Sequence, residues 1–261
     1  MKLIWQQIKI NVKKSSTYKL NFIMLCIAIA PLHILQAIFS WIIGDRFSTL
    51  NGWSSSELVF LYSLVLISYS IAQIFCKQFR NFDEFLIKGR LDQYLTQPLP
   101  VAFNIMFSEI NIMEFFSQFI PAVILLLYAC LNTHIRWSFF NVAALIVSIL
   151  SGSVIQISLF ILIGLSAFFT LAAGRIEQLY YSIKEFSNYP LSVYGNKLLL
   201  FFTLVIPLGA INYYPACIIL CKDIPYTFVT TLYIPISAIA LLAATMSAWK
   251  IALKHYSICG S

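Results

Sequence analysis

Residues 139–173 read FFNVAALIVSILSGSVIQISLFILIGLSAFFTLAA, a run of 35 residues without one Asp, Glu, Lys or Arg. A helix rises ~1.5 Å per residue, so roughly 20 apolar residues cover the ~30 Å hydrocarbon layer of a bilayer. Inside lipid every backbone N–H and C=O has to be bonded internally, so such a run is expected to be helical. Five more blocks share its character: Leu20–Ile43, Leu58–Cys76, Ile110–Leu131, Leu198–Cys221 and Tyr226–Trp249. The sequence therefore predicts an all-α fold, a polytopic membrane bundle of about six transmembrane helices. The short connections leave no stretch that could fold as a soluble catalytic domain.

Composition agrees. Charged residues make up 10% of the chain and hydrophobic ones 60%, whereas soluble domains carry about 25% charged residues. The net charge of +7 does not point to nucleic acid, because the basic residues form no stripe. They sit at the ends of the apolar blocks, where cytoplasmic loops retain Lys and Arg. The six cysteines form no CxxC pair. Cys217 and Cys221, four apart, allow a disulfide on geometry alone, but small apolar side chains in a bundle are the expected reading. The first apolar block, beginning at Leu20, is too long for the core of a cleavable signal and is expected to stay as a span.

Residues 1–19 hold Lys2, Lys9, Lys13, Lys14 and Lys19 and no acid, which places this end in the cytoplasm. Ile4, Trp5, Ile8 and Val12 share one helical face, opposite Lys2, Gln6, Lys9 and Lys13. An interfacial amphipathic helix is expected there, ahead of a six-span domain over residues 20–261. The second span ends at Lys77 and Arg80, and residues 80–104 form a cytoplasmic segment. Lys250, Lys254 and His255 close the last span, so both termini are expected in the cytoplasm. The middle allows two threadings. Residues 139–173 are long for one crossing and short for two, with Gly152, Gly164 and Gly174 as candidate breaks. Either Arg175–Lys197 is a cytoplasmic loop and Leu198–Cys221 the fifth span, or the fifth span is about Phe169–Ser187 and Leu198–Cys221 a re-entrant hairpin. Pro207 and Pro215 suit broken helices buried in protein. The positive-inside rule favours the loop.

The cytoplasmic segment contains IKGRLDQYLTQPLP over residues 87–100. Gly89 permits a turn, Leu91, Tyr94 and Leu95 at i, i+3 and i+4 form a small apolar face, and Pro98 and Pro100 stop the helix. An apolar knob with polar flanks fits a groove in a partner protein or, equally on chemistry, the lipid surface. This glycine followed by Leu-Asp-x-Tyr-Leu and Pro-Leu-Pro resembles the loop between spans two and three in permeases of the ABC type-2 exporter family, six-span group. Tyr189-Pro190 through Gly195, Ile206-Pro207-Leu208 and Asn212-Tyr213-Tyr214-Pro215-Ala216 are similar to that family's tyrosine–proline block. Trp249-x-x-Ala-Leu-Lys-x-Tyr256-Ser257 resembles its closing signature. Phe168-Phe169-Thr170 departs mildly from it, standing where members often carry Trp.

The resemblance implies a permease subunit of an ATP-driven exporter, with the segment around Arg80, Lys88, Gly89, Arg90, Leu91, Asp92, Tyr94 and Leu95 coupling it to the ATPase. Leu91, Tyr94 and Leu95 would be the anchors, and Arg80, Lys88, Arg90 and Asp92 the rim charges. It implies two ABC ATPase subunits that bind ATP and Mg, and a second permease half, either this chain again or a related one. The residues agree that this chain is not itself an enzyme, since it carries no G-x-x-x-x-G-K-[ST] loop to cradle phosphate. No cofactor and no metal site is expected in the chain. Family analogy gives an amphipathic or lipophilic cargo such as a drug, a lipid-like molecule or an antimicrobial peptide. Composition rich in Lys, Ile and Phe suggests a low-GC bacterium and its plasma membrane.

Ionisable groups at membrane depth are costly and so become functional candidates. They are His33, Glu109, Glu114, Arg175, Glu177, Lys184 and Glu185. Arg175, Glu177, Lys184 and Glu185, with Tyr189 and Pro190, form the candidate cargo pathway if they belong to a span. Two other classes compete. An ion-gradient-driven transporter calls for midplane acids and inverted repeats, and no repeat is visible. An intramembrane protease or lipid transferase needs paired acids, HExxH or a glycine-flanked serine, and the spans offer none.

Overall fold

The computed structural model describes residues 19–46, 52–98, 100–110, 112–170, 173–222 and 227–256. The interfacial helix expected over residues 1–19 lies outside them, apart from Lys19. The described chain is an all-α bundle. Five helices are long and apolar enough to cross a bilayer: α1 (Lys19–Arg46), α2 (Ser55–Arg80), α6 (Ile112–Asn132), α7 (Phe139–Thr170) and α11 (Thr227–His255). Between α2 and α6 lie three short helices, α3 (Phe82–Ile87), α4 (Arg90–Leu95) and α5 (Val101–Ser108). Between α7 and α11 come α8 (Ala173–Lys184), α9 (Asn196–Leu204) and α10 (Tyr213–Ile219), joined by 3-10 turns at Glu185–Asn188, Leu191–Tyr194 and Leu208–Ala210.

The central helix is α2, buried along most of its length. The backbone N–H of Ser54 donates to the Glu57 carboxylate at 2.7 Å, which serves one of the orphan donors at the helix start. Among the described residues three apolar clusters line α2, the smallest joining Tyr62, Leu66 and Ile67 to Ala37 and Ala122, and the two larger stack along it. One gathers Leu58–Leu61 with Ile155, Leu208, Ile211, Ile218 and Ile234. The other gathers Cys76, Phe79, Phe82, Leu91, Ile105, Phe160 and Trp249. In contrast, α1 leaves Leu20, Ile23, Met24, Ile27, Leu32 and Leu35 exposed, as a lipid-facing helix does.

The long block at 139–173 is one unbroken helix through Thr170, so Gly152 and Gly164 are not break points, whereas Gly174 lies in the first turn of the next helix. The first two are sites of close approach. A Cβ on Gly164 would stand 2.7 Å from Phe79 Cδ1, and one on Gly152 would stand 3.1 Å from Ser68 Cβ. Small residues at these places let α7 lie directly on α2. Gly164→Ala should therefore lower stability by about 1–3 kcal/mol through overpacking. Thermal unfolding of the detergent-solubilised protein checks this, and an unchanged midpoint would mean that Phe79 yields freely.

The segment after α7 settles the threading. Glu177 bonds Arg80 at the end of α2, Lys184 lies over Tyr69 near its middle, and Asn212 bridges the carbonyls of Ser187 and Leu61. Residues 173–194 thus climb along α2 inside the bundle, and the expectation of a cytoplasmic loop fails. Charge counting missed this because Glu177 and Arg80 neutralise one another across the fold. α9 and the following 208–219 stretch meet at an 81° bend. Nine residues of α9 alone reach only ~13 Å; with Leu208–Ile219 the bent stretch is long and apolar enough for a broken span or a re-entrant loop, and where its two ends lie distinguishes them. The hairpin packs on the half of the bundle that holds Trp53 and Leu58, with Lys222 paired to Glu57 at 2.7 Å. Tyr214 and Thr203 share a hydroxyl contact of 2.7 Å, and Tyr233 donates to the Thr203 carbonyl, so α11 clasps the hairpin. The hairpin is thus the re-entrant one of the second threading, but the crossing expected at about Phe169–Ser187 is not one helix: Phe169 and Thr170 end α7, and Ala173–Lys184 is a separate, shorter helix. Cys217 is buried, Cys221 is exposed, and both are free thiols.

Candidate functional site

At the Arg80 end the chain forms a small platform. Gly89 sits at φ +63, the left-handed conformation that turns α3 into α4. The platform has two faces, and they are not the ones the heptad-like spacing suggests. Leu91 is fully buried with Phe82, Ile105 and Trp249 in the surrounding core. Tyr94 is half-buried, its ring 5.5 Å from that of Phe85. Asp92 accepts from the Tyr256 hydroxyl at 3.2 Å, tying α4 to the residue that follows α11. The outward face instead carries Ile87 at 70% exposure and Leu95 at 39%, with exposed Lys88 and Arg90 beside them. Lys88 also bonds Glu84 one turn back at 2.7 Å. That hydrogen bond holds the Glu84 carboxyl below the usual carboxylate range. Two expectations are corrected here. Leu91 and Tyr94, expected to project outward, instead face inward, into the core that holds Phe82 and Phe85; Ile87, not singled out from the sequence, is exposed on the outer face.

Trp249 explains the closing signature. Its ring stands edge-on to Phe79 and Phe168, each at 5.5 Å between centroids, and 5.3 Å from Phe82. Phe168, the position of departure, is one wall of that box. The platform is thereby cemented to α2, α7 and α11 at once.

Arg80 is not a rim charge. Its guanidinium bonds Glu177 on α8 at 2.5 Å and Glu114 on α6 at 2.9 Å, and reaches Gln73 at 3.2 Å. Gln73 donates to the Tyr69 hydroxyl, Tyr69 to Tyr181 at 3.1 Å, and Tyr181 to Glu177 at 2.7 Å. One cation therefore pins three helices together, and a closed ring of hydrogen bonds joins α2 to α8. Glu109, by contrast, pairs with Lys77 at 3.2 Å where both side chains are partly exposed, and contributes little.

Farther along α2 the polar residues continue. Gln156 donates to Ser68 at 2.7 Å and accepts from Tyr180 at 3.2 Å. The Lys184 ammonium lies 3.3 Å above the Tyr69 ring, a cation–π contact. Beside it opens a cavity of about 210 Å³ between α1, α2 and the 185–188 turn, lined by His33, Gln36, Tyr62, Lys184 and Asn188, with Leu32, Val65 and Leu66 as its apolar walls. His33 Nδ1 and the Tyr62 hydroxyl are 2.9 Å apart. Tyr189 bonds Gln36, and Pro190 is buried. Arg175 and Glu185 are exposed and stand apart from this group, so the expected cargo pathway is brought together only in part. Tyr69, Gln73 and Gln156 were missed; their signal was a polar side chain in the middle of an apolar block. Among the described residues no three His, Cys, Asp or Glu side chains gather as a metal site requires.

A family model described as an ABC-2 family transporter protein matches residues 32–260. No curated protein matches the chain, and no solved structure does.

Proposed function

This chain belongs to the ABC-2 transporter family, and from that premise we propose that it is the permease half of an exporter whose Arg80 end faces the cytoplasm. Family membership makes it a multi-pass membrane subunit that works with an ABC ATPase. The finer reading is that two ATPase subunits, holding ATP and Mg, dock beneath two permease halves and drive an amphipathic or lipophilic compound outward. A bacterial plasma membrane with both termini inside fits the basic residues at that end.

The observation that carries the proposal is the α3–α4 platform. Exposed Ile87 and Leu95 flanked by Lys88 and Arg90 form an apolar knob with a cationic rim, suited to a groove on a soluble partner. Its underside is rigid, because Leu91 and Phe82 enter the core and Asp92 holds Tyr256. Displacement of the knob would therefore move α2, α7 and α11 as one body and rock the bundle. Arg80 would carry the same displacement into α6 and α8.

The double substitution Ile87→Glu with Leu95→Glu tests it. Both side chains are on the surface, so the bundle should still insert and unfold as before. Affinity for the partner ATPase subunit should fall roughly 30-fold to several-hundred-fold, the loss of about 2–4 kcal/mol of anchor contacts. Unchanged copurification and unchanged ATP-dependent efflux would overturn the docking role. An ion-gradient transporter, the competing class, would bind no ATPase in either form.

A further inference from the structure

Among the described residues, Lys184 is the half-buried cation of the bundle's middle that the ion-pair network leaves out. Among the described residues no carboxylate forms an ion pair with it, whereas Glu114 and Glu177 are both bonded to Arg80. The Lys184 contacts are the faces of two aromatic rings, Tyr69 at 3.3 Å and Tyr181 at 5.8 Å. Tyr69 stands near the midpoint of α2, so this charge lies deep in the bilayer. A lysine at that depth costs about 2.5–3.5 kcal/mol on insertion scales. Such a cost calls for a counter-charge; among the described residues none is in direct contact, and the nearest carboxylate in sequence, Glu185, is exposed.

The same lysine borders the 210 Å³ cavity, and the groups around it are donors or amphoteric: the His33 imidazole, the Tyr62 hydroxyl, and the Gln36 and Asn188 amides. A cation with several neutral donors around a space of this size has the chemistry of an anion pocket. The space suits a headgroup rather than a whole lipid. Next to it on the same side of α1, Leu32, Leu35 and Phe39 are exposed, a surface along which a hydrocarbon chain can lie.

We propose that this cavity binds the anionic headgroup, phosphate or carboxylate, of an amphiphile, with Lys184 as its counter-charge. This deepens the exporter reading and rests on it for the amphiphile being cargo. Binding itself is independent of the ATPase, so the two ideas fail separately.

The test measures lipid binding to the purified chain in nanodiscs of phosphatidylcholine, titrated with phosphatidylglycerol or with oleate and read by native mass spectrometry after release. Both anionic amphiphiles should bind at least 10-fold more tightly than added neutral lipid. Lys184→Gln should remove that preference, Lys184→Arg should keep most of it, and Lys197→Gln, on the exposed surface, should leave it intact. If Lys184→Gln does not fold, Asn188→Leu should still weaken anionic binding 3- to 10-fold. An unaltered preference in Lys184→Gln, or in Asn188→Leu where that variant stands in for it, overturns the proposal. So does equal binding of neutral and anionic amphiphiles. Competition by millimolar inorganic phosphate alone would also overturn it, since the site would then take a free anion and not an amphiphile. Loss of ATPase copurification with anionic binding retained would sink the exporter reading and leave the site standing.

Discussion

Arg80→Met is expected to destabilise the bundle by about 3–5 kcal/mol, the cost of leaving a buried ion-pair network without one partner. The substitution preserves length and apolar bulk but strips Glu114 and Glu177 of their shared cation. Each carboxylate then has to pick up a proton or draw in water, in a place where water is scarce. Three helices are joined at this point, so the loss should appear as global weakening, not as local fraying. The companion variant separates charge from packing. Arg80→Met combined with Glu114→Gln and Glu177→Gln removes all the charges together, and it should recover at least half of the lost stability. Unfolding in detergent with increasing denaturant reads both effects. An Arg80→Met protein as stable as the parent would show that the network is solvated and of no structural weight.

Leu91→Ala is expected to cost about 2–5 kcal/mol, the range for truncating a fully buried leucine. The side chain has no exposed surface and stands in the core with Phe82, Ile105 and Trp249. The alternative, that Leu91 inserts into a partner, predicts the opposite pattern: normal stability of the isolated chain and weak ATPase binding. Measuring both quantities on one preparation decides between them. Leu91→Ala should unfold early and, where folded, bind the ATPase nearly as the parent does. Ile87→Glu with Leu95→Glu should do the reverse. If Leu91→Ala leaves stability untouched and abolishes docking, the assignment of faces on α4 is inverted.

The contrast between Leu91 and Ile87 shows why the platform was only half legible. Its position, its turn at Gly89 and its stop at Pro98 and Pro100 are local properties of backbone and proline chemistry, and they can be read in order along the chain. Which apolar residue faces in depends on what else arrives there. Phe82 comes from the preceding helix and Trp249 from the far end of the chain, and together they claim Leu91. The glycines behave alike. Gly152 and Gly164 resemble helix breaks in a hydrophobic run, yet opposite Ser68 and Phe79 they are points of contact.

Apolar block lengths alone dictate a membrane bundle and roughly how many times it crosses. Those facts follow from the length of a helix and the thickness of lipid, quantities that need no knowledge of neighbours. That residues 173–194 run inside the bundle emerges only from the packing in three dimensions. A charged segment reads as an aqueous loop until its counter-charge is known, and Arg80 lies 97 residues from Glu177 along the chain. The electrostatic cost of burying either one is offset by the other, a pairing that exists only in three dimensions.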